Sequence, residues 1–299
     1  MAQTDVILPI ETTRALPGVR SIGVKDLRDA LAKGLEDFRA MPTHAIFLSV
    51  IYPIVGLALF RAAFGYELVP LLYPLAAGFP LIGAFAAIGL YELSRRRELG
   101  LDTSWKHVFD IFHSPSVWAI AGLGLLLLII LAVWVAVADA IYVATFGYDQ
   151  PTTLAEFARR VLETPQGHKL ILVGNAVGFL FAVVAFALSV VSFPLLLDRH
   201  VGVPVAISTS VRAILRNPGT MALWAMFVAG LLVLGSLPFL FGLAVVIPVL
   251  GHSSWHLYRR VIESDPGPRP EYQPKTKGRR YGADFPVSLF VPSSHEAKE

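Results

Sequence analysis

Residues Val117–Ala138 read VWAIAGLGLLLLIILAVWVAVA, a run without Asp, Glu, Lys, Arg or Pro. A bilayer's hydrocarbon core of roughly 30 Å is crossed by about 20 helical residues, so this run is long enough to span it. Uncharged runs recur on either side, at Leu68–Tyr91, Leu170–Leu197 and Asn217–Tyr258. The last is too long for one crossing and carries the break signal Gly235-Ser236-Leu237-Pro238, which predicts two helices joined by a tight turn. A shorter run, Ala45–Phe60, is completed by Arg61, whose stem can snorkel to the headgroups from a helix end. The expected fold is all-α: a polytopic membrane protein of about six transmembrane helices, near 44–64, 68–91, 117–138, 169–197, 219–235 and 238–258.

Composition agrees. Of the 299 residues 55% are hydrophobic and 16% charged, against about a quarter charged in soluble domains. Backbone groups in lipid must be satisfied within the chain, and the Leu, Ala and Gly content shows none of the alternation of a membrane barrel. Residues 1–20 lack the basic start and apolar stretch of a signal peptide, so the first crossing is expected to direct insertion. Zero cysteines exclude disulfides, thiolate metal sites and thiol catalysis.

Lys and Arg set the expected orientation. Residues 1–44, 92–116, 198–218 and 256–299 hold 21 of the 25 basic residues, leaving Arg61, Arg159, Arg160 and Lys169 for the other side. A multi-pass protein of a bacterial inner membrane is expected, with both ends cytoplasmic. The sequence pI near 9.2 invites nucleic acid as a partner. The basic residues are dispersed beside membrane runs, however, so anionic headgroups at the cytoplasmic face are the expected partner, contacted by Arg95, Arg96, Arg97, Arg259 and Arg260. Residues 1–21 and the basic tail 263–299, with Lys275, Lys277, Arg279 and Arg280, are expected to be disordered around a membrane domain over 22–262. The apolar patch 285–291 breaks the tail's character and would suit a docking motif for a membrane partner, or nothing.

A weak repeat runs through the basic segments. Aligned on Pro42, Pro115 and Pro218, the residues four before are Phe38, Ile111 and Ile214, and those seven before are Leu35, Val108 and Val211. The spacing marks one face of a helix. It predicts a short amphipathic interfacial helix, a proline, then a transmembrane hairpin, used three times; shared apolar composition is the plainer reading. Between the third and fourth runs, Thr153 and Glu156 have the spacing of a capping box, which predicts a short helix with Leu154, Phe157 and Val161 on one face.

Candidate chemistry is sparse. His252 and His256 stand at i and i+4 on the last run, the spacing of two metal ligands on a helix, and His44 falls at a similar depth. Without a carboxylate motif they read as interfacial residues beside Trp255 and Tyr258. No His falls in the runs for the second to fifth helices, so a haem-copper core is excluded. Phosphate-loop, dinucleotide and serine-hydrolase motifs are absent, and no enzyme activity, cofactor or metal site is expected. Asn175, Ser189, Ser192 and Thr220 are the polar side chains available in the crossings, and Pro53, Pro74, Pro80, Pro194, Pro238 and Pro248 could either kink helices or break them around a substrate.

Three stretches carry a resemblance: 29–42 with Gly34 and Asp37; Phe193-Pro-Leu-Leu-Leu-Asp-Arg199 through Ser210-Val-Arg212 to Asn217-Pro218; and Gly251-His-Ser-Ser-Trp-His-Leu-Tyr-Arg-Arg260. Over about residues 22–262 the chain resembles the bacterial integral membrane proteins grouped as domain of unknown function 2189. The resemblance implies an inner-membrane protein without assigned activity, in which Asp198 pairs with a neighbouring basic residue to fix a helix end. The expected role is a non-enzymatic scaffold or accessory component; a small-molecule or lipid transporter is the alternative. A cavity lined by Asn175, Ser189 and Ser192 would favour the second.

Overall fold

The computed structural model describes residues 16–41, 72–104, 107, 110–112, 114–148, 151, 153–237 and 241–264. The first crossing expected over 44–64, with His44 and Pro53, lies outside these residues, as do Pro238 and the tail beyond Ser264. Every regular element described is helical: α1 (Val24–Ala40), α2 (Leu72–Glu98), α3 (Val117–Phe146), α4 (Leu154–Glu163), α5 (Pro165–Ser189), α6 (Ser192–Asp198), α7 (Val203–Arg216), α8 (Pro218–Ser236) and α9 (Leu243–Val261).

Three stretches are long and apolar enough to cross a membrane: Val117–Phe146, Pro165–Asp198 and Pro218–Ser236. At 1.5 Å per residue α3 is about 45 Å long and α8 about 28 Å. In the most apolar window of α8 only 17% is buried, and in that of α3 28%. An apolar surface left this open is matched by lipid, not by water.

Several boundaries differ from expectation, each for a local reason. Helix α2 runs past Tyr91 to Glu98, because Glu92 pairs with Arg95 at i+3 and with Arg96 at i+4. Helix α3 runs past Ala138 through Asp139 until Gly147, whose φ of 74° is open to glycine at little cost and ends the helix. The single helix expected over 169–197 is two. Pro194 has no N–H for the Val190 carbonyl, the ladder opens at 190–191, and the freed Val191 N–H donates to Ser210 Oγ at 3.2 Å. Helix α8 ends at Ser236 and α9 begins at Leu243, five residues later than expected, and Gly235 packs directly on Gly242. Thr153 caps α4 as expected, accepting from the Glu156 N–H at 3.1 Å.

The repeat is partly present, on a different face. Both α1 and α7 end two residues before a proline, with near-identical caps at Met41 (φ −132°, ψ 45°) and Asn217 (φ −130°, ψ 49°). The proline drives the residue before it out of helical geometry. Counted back from Pro42 and Pro218, the shared buried positions are Ala30 with Ala206, Gly34 with Ser210, and Asp37 with Ala213. Leu35 is exposed and Phe38, Val211 and Ile214 only half-buried, so small residues, not the large apolar ones, form the packing stripe. Before Pro115 the expected helix is replaced among the described residues by a short 3₁₀ turn, in which His107 bridges Asp102 (2.9 Å) and Asp110 (2.7 Å). Such side-chain bonds compete with a helix.

The core sits where the basic residues gather. Trp224, Trp255, Tyr258, Phe193, Leu90, Leu93, Leu195 and Leu196 are all fully buried there. Helix α1 lies antiparallel along the last turns of α9: Arg260 meets Asp29, and a Cβ on Gly34 would collide with the backbone and hydroxyl of Ser253. The disorder expected over 1–21 is corrected at its end. Val19 is buried and bridges to Ile262, the Arg20 N–H donates to the Val261 carbonyl at 2.7 Å, and Asn217 holds the backbone of Arg20 and Ile22.

Candidate functional site

The basic end contains a buried polar cluster drawn from three helices. Asp37 of α1 is 3% exposed. Its Oδ2 accepts from Ser94 Oγ of α2 at 2.6 Å and from His256 Nε2 of α9 at 2.8 Å, while Oδ1 accepts from Arg97. Burial opposes ionisation of this carboxyl, but the bonds from His256, Ser94 and Arg97 together hold it below the ordinary aspartate range. His252, fully buried one turn before His256, places Nδ1 2.7 Å from Ser94 Oγ. Because Ser94 has one proton and gives it to an ionised Asp37, its oxygen accepts from His252 Nδ1–H. That leaves His252 Nε2 as a buried acceptor without a hydrogen-bond partner.

A second layer closes over this cluster. Glu98 accepts from Trp255 Nε1 at 3.1 Å and from Arg259 Nη2 at 2.8 Å; Asp198 accepts from Tyr258 Oη at 2.7 Å and lies 3.6 Å from Arg259 and 3.8 Å from Arg199. Asp198 thus pins the end of α6 to α9. Beside it Glu92 accepts from Arg95, and Arg96 reaches Asp110 at 3.4 Å. Arginines 95, 96, 97, 259 and 260, expected at lipid headgroups, are therefore paired with carboxylates. Arg97, Arg259 and Arg260 find their acids on other helices, across a packing that no single segment reveals.

Chemically the cluster can fix a helix and hold a proton between Asp37, Ser94 and His252. Ser94 stands between His252 and Asp37, whereas activating a serine nucleophile requires the histidine between the two others. Ser94 is also only 1% exposed. The i, i+4 histidines share a face, as their spacing predicts, and turn to Ser94 and Asp37; no group of three or more His, Asp or Glu among the described residues is arranged to hold a metal ion.

The other nominated residues do not converge. Asn175 is exposed on α5, donating to the Ile171 carbonyl at 2.7 Å, whereas Ser192 is fully buried with its hydroxyl unpaired. Thr220 donates to the Ile22 carbonyl at 3.0 Å. A groove of about 520 Å³ lies between α2 and α3, lined by Leu75, Leu128, Leu131 and Val135 with Asp139 at one end, and it is open and apolar. Sequence reading missed Ser94, Glu98 and the pairing of Arg97. The i, i+3 spacing of Glu92 and Arg95 is a local signal that could have revealed one of these pairs.

These features define an all-helical integral membrane protein with an organised, charge-rich end. Over residues 72–198, from the start of α2 to the last residue of α6, the chain matches the family described as "Predicted integral membrane protein (DUF2189)". The match names the same family as the resemblance read from the sequence, over a shorter stretch than 22–262 that leaves out 29–42 and 251–260. No curated protein and no solved structure matches the chain.

Proposed function

We propose that this protein is a non-enzymatic scaffold or accessory component of a bacterial inner membrane, crossing it about six times as three hairpins with both ends cytoplasmic. The reading is supported chiefly by how the polar side chains are used. Asp37, Ser94, Glu98, Asp198 and their basic partners are spent on one another, so they hold helices together instead of facing a ligand. The transporter reading loses support because Asn175 is exposed on α5 while Ser192 is enclosed, so the two do not line one cavity. The break at Pro194 is likewise filled by buried Phe193, Leu195 and Leu196. The basic end would then face anionic headgroups and a membrane partner.

Affinity purification of the tagged chain from native membranes in mild detergent tests the role. A reproducible stoichiometric protein partner is the expected result; a bound small molecule without a partner would move transport to the front. Topology is testable in parallel. The natural chain has no cysteine, so single cysteines introduced near residue 20 and residue 264 report their side of the membrane without background.

A further inference from the structure

We infer that the exposed face of α7, formed by Arg212, Leu215 and Arg216, is the protein's docking surface for anionic phospholipid headgroups. The inference rests on the reading that the chain spans a bilayer with its basic end at one surface. It departs from the expectation that the arginine triplet and the Arg259-Arg260 pair serve this role, since those five are neutralised. Arg95 and Arg96 meet Glu92, Arg97 meets Asp37, Arg259 meets Glu98, and Arg260 meets Asp29. Arg212 and Arg216 are exposed and have no carboxylate partner among the described residues.

Position strengthens the case. Helix α7 buries Ala206, Thr209, Ser210 and Ala213 on one side, and the opposite side presents Pro204, Arg212, Leu215 and Arg216. Its sequence contains no acid. It packs beside two membrane-spanning stretches: Val203 reaches Gly122 near the start of α3, and Ser210 accepts from Val191 at the break between α5 and α6. Two residues after Arg216 the chain enters α8, itself long and apolar enough to cross. An amphipathic helix fixed at that junction presents cations at headgroup depth, with Leu215, 73% exposed, beside them to enter the acyl boundary. Asn217 also holds the backbone of Arg20, an exposed third cation, at this elbow through a 3.0 Å bond to its carbonyl. Helix α1 has exposed cations too, but Glu36 shares its surface.

The full chain, reconstituted in phosphatidylcholine nanodiscs with graded phosphatidylglycerol, is the test, with retained phosphatidylglycerol counted by native mass spectrometry. The R212Q/R216Q variant should lose affinity by about fivefold per arginine removed, about twenty-five-fold in all, while R28Q/R39Q on α1 should change it by less than about twofold. Equal loss in both variants, or none in R212Q/R216Q, would overturn the assignment. Protease protection of the same samples separates the two layers: protected stems with unchanged lipid retention sink the headgroup site alone, whereas loss of protection in the wild-type chain sinks the spanning reading.

Discussion

The apolar stems and the basic end of this protein are built on opposite rules. In the stems of α3, α5 and α8, side chains such as Leu172, Phe179 and Leu234 face outward, and helix identity rests on an uninterrupted run of apolar residues. At the basic end Trp224, Trp255, Tyr258 and Phe193 are enclosed and the helices are joined by buried carboxylates. Stems tolerate change because lipid is as apolar as any substitute leucine. The basic end does not, because each buried charge there depends on a partner from another helix.

That contrast can be broken from the largest effect downward. Asp37→Ala should be the most damaging single change, costing about 3 kcal/mol or more, since it strands His256 and Arg97 without their acceptor; the midpoint of thermal unfolding in detergent reads it. Gly34→Val should cost about 2 to 3 kcal/mol by driving a side chain into Ser253, and should free α1 to limited proteolysis while the stems stay protected. His256→Gln keeps a donor toward Asp37 and should cost only about 1 kcal/mol. Leu172→Ala on α5, where the leucine is 73% exposed, should shift stability by less than about 0.5 kcal/mol.

Acid should act on the same end. Asp37 is held below its ordinary value, so the stability it contributes is full above the unfolded aspartate pKa of about 3.9 and is lost as pH falls through the folded value. Unfolding midpoints measured between about pH 2 and 5 should therefore show an acid limb that Asp37→Asn flattens. A limb unchanged in that variant would assign acid sensitivity to other carboxylates.

The stems were legible because membrane spanning is written in local composition. The run at Val117–Ala138 needs no knowledge of its neighbours, and Thr153 capping α4 is equally local. The basic end was not legible for the same physical reason in reverse. Ser94 lies 57 residues from Asp37 and 158 from His252 along the chain, and their bonds exist only once α1, α2 and α9 pack. The proline-aligned repeat sits between these cases. Its caps at Met41 and Asn217 were readable from the prolines, but its buried face was not, because Gly34 looks ordinary until Ser253 lies against it. Charge was the least legible feature: the arginine triplet reads as unpaired in its own segment, and the acid opposite Arg97 lies 60 residues away on α1.

Hydrogen–deuterium exchange on the full chain in nanodiscs tests most directly whether the basic end is one locked unit. Amides of α1 between Leu27 and Asp37 should exchange as slowly as those of α9 between Leu250 and Val261, and both should loosen together in Asp37→Asn. Rapid exchange throughout α1 in the wild-type chain, with α9 protected, would contradict the clasp formed by Asp37, Ser94 and His256.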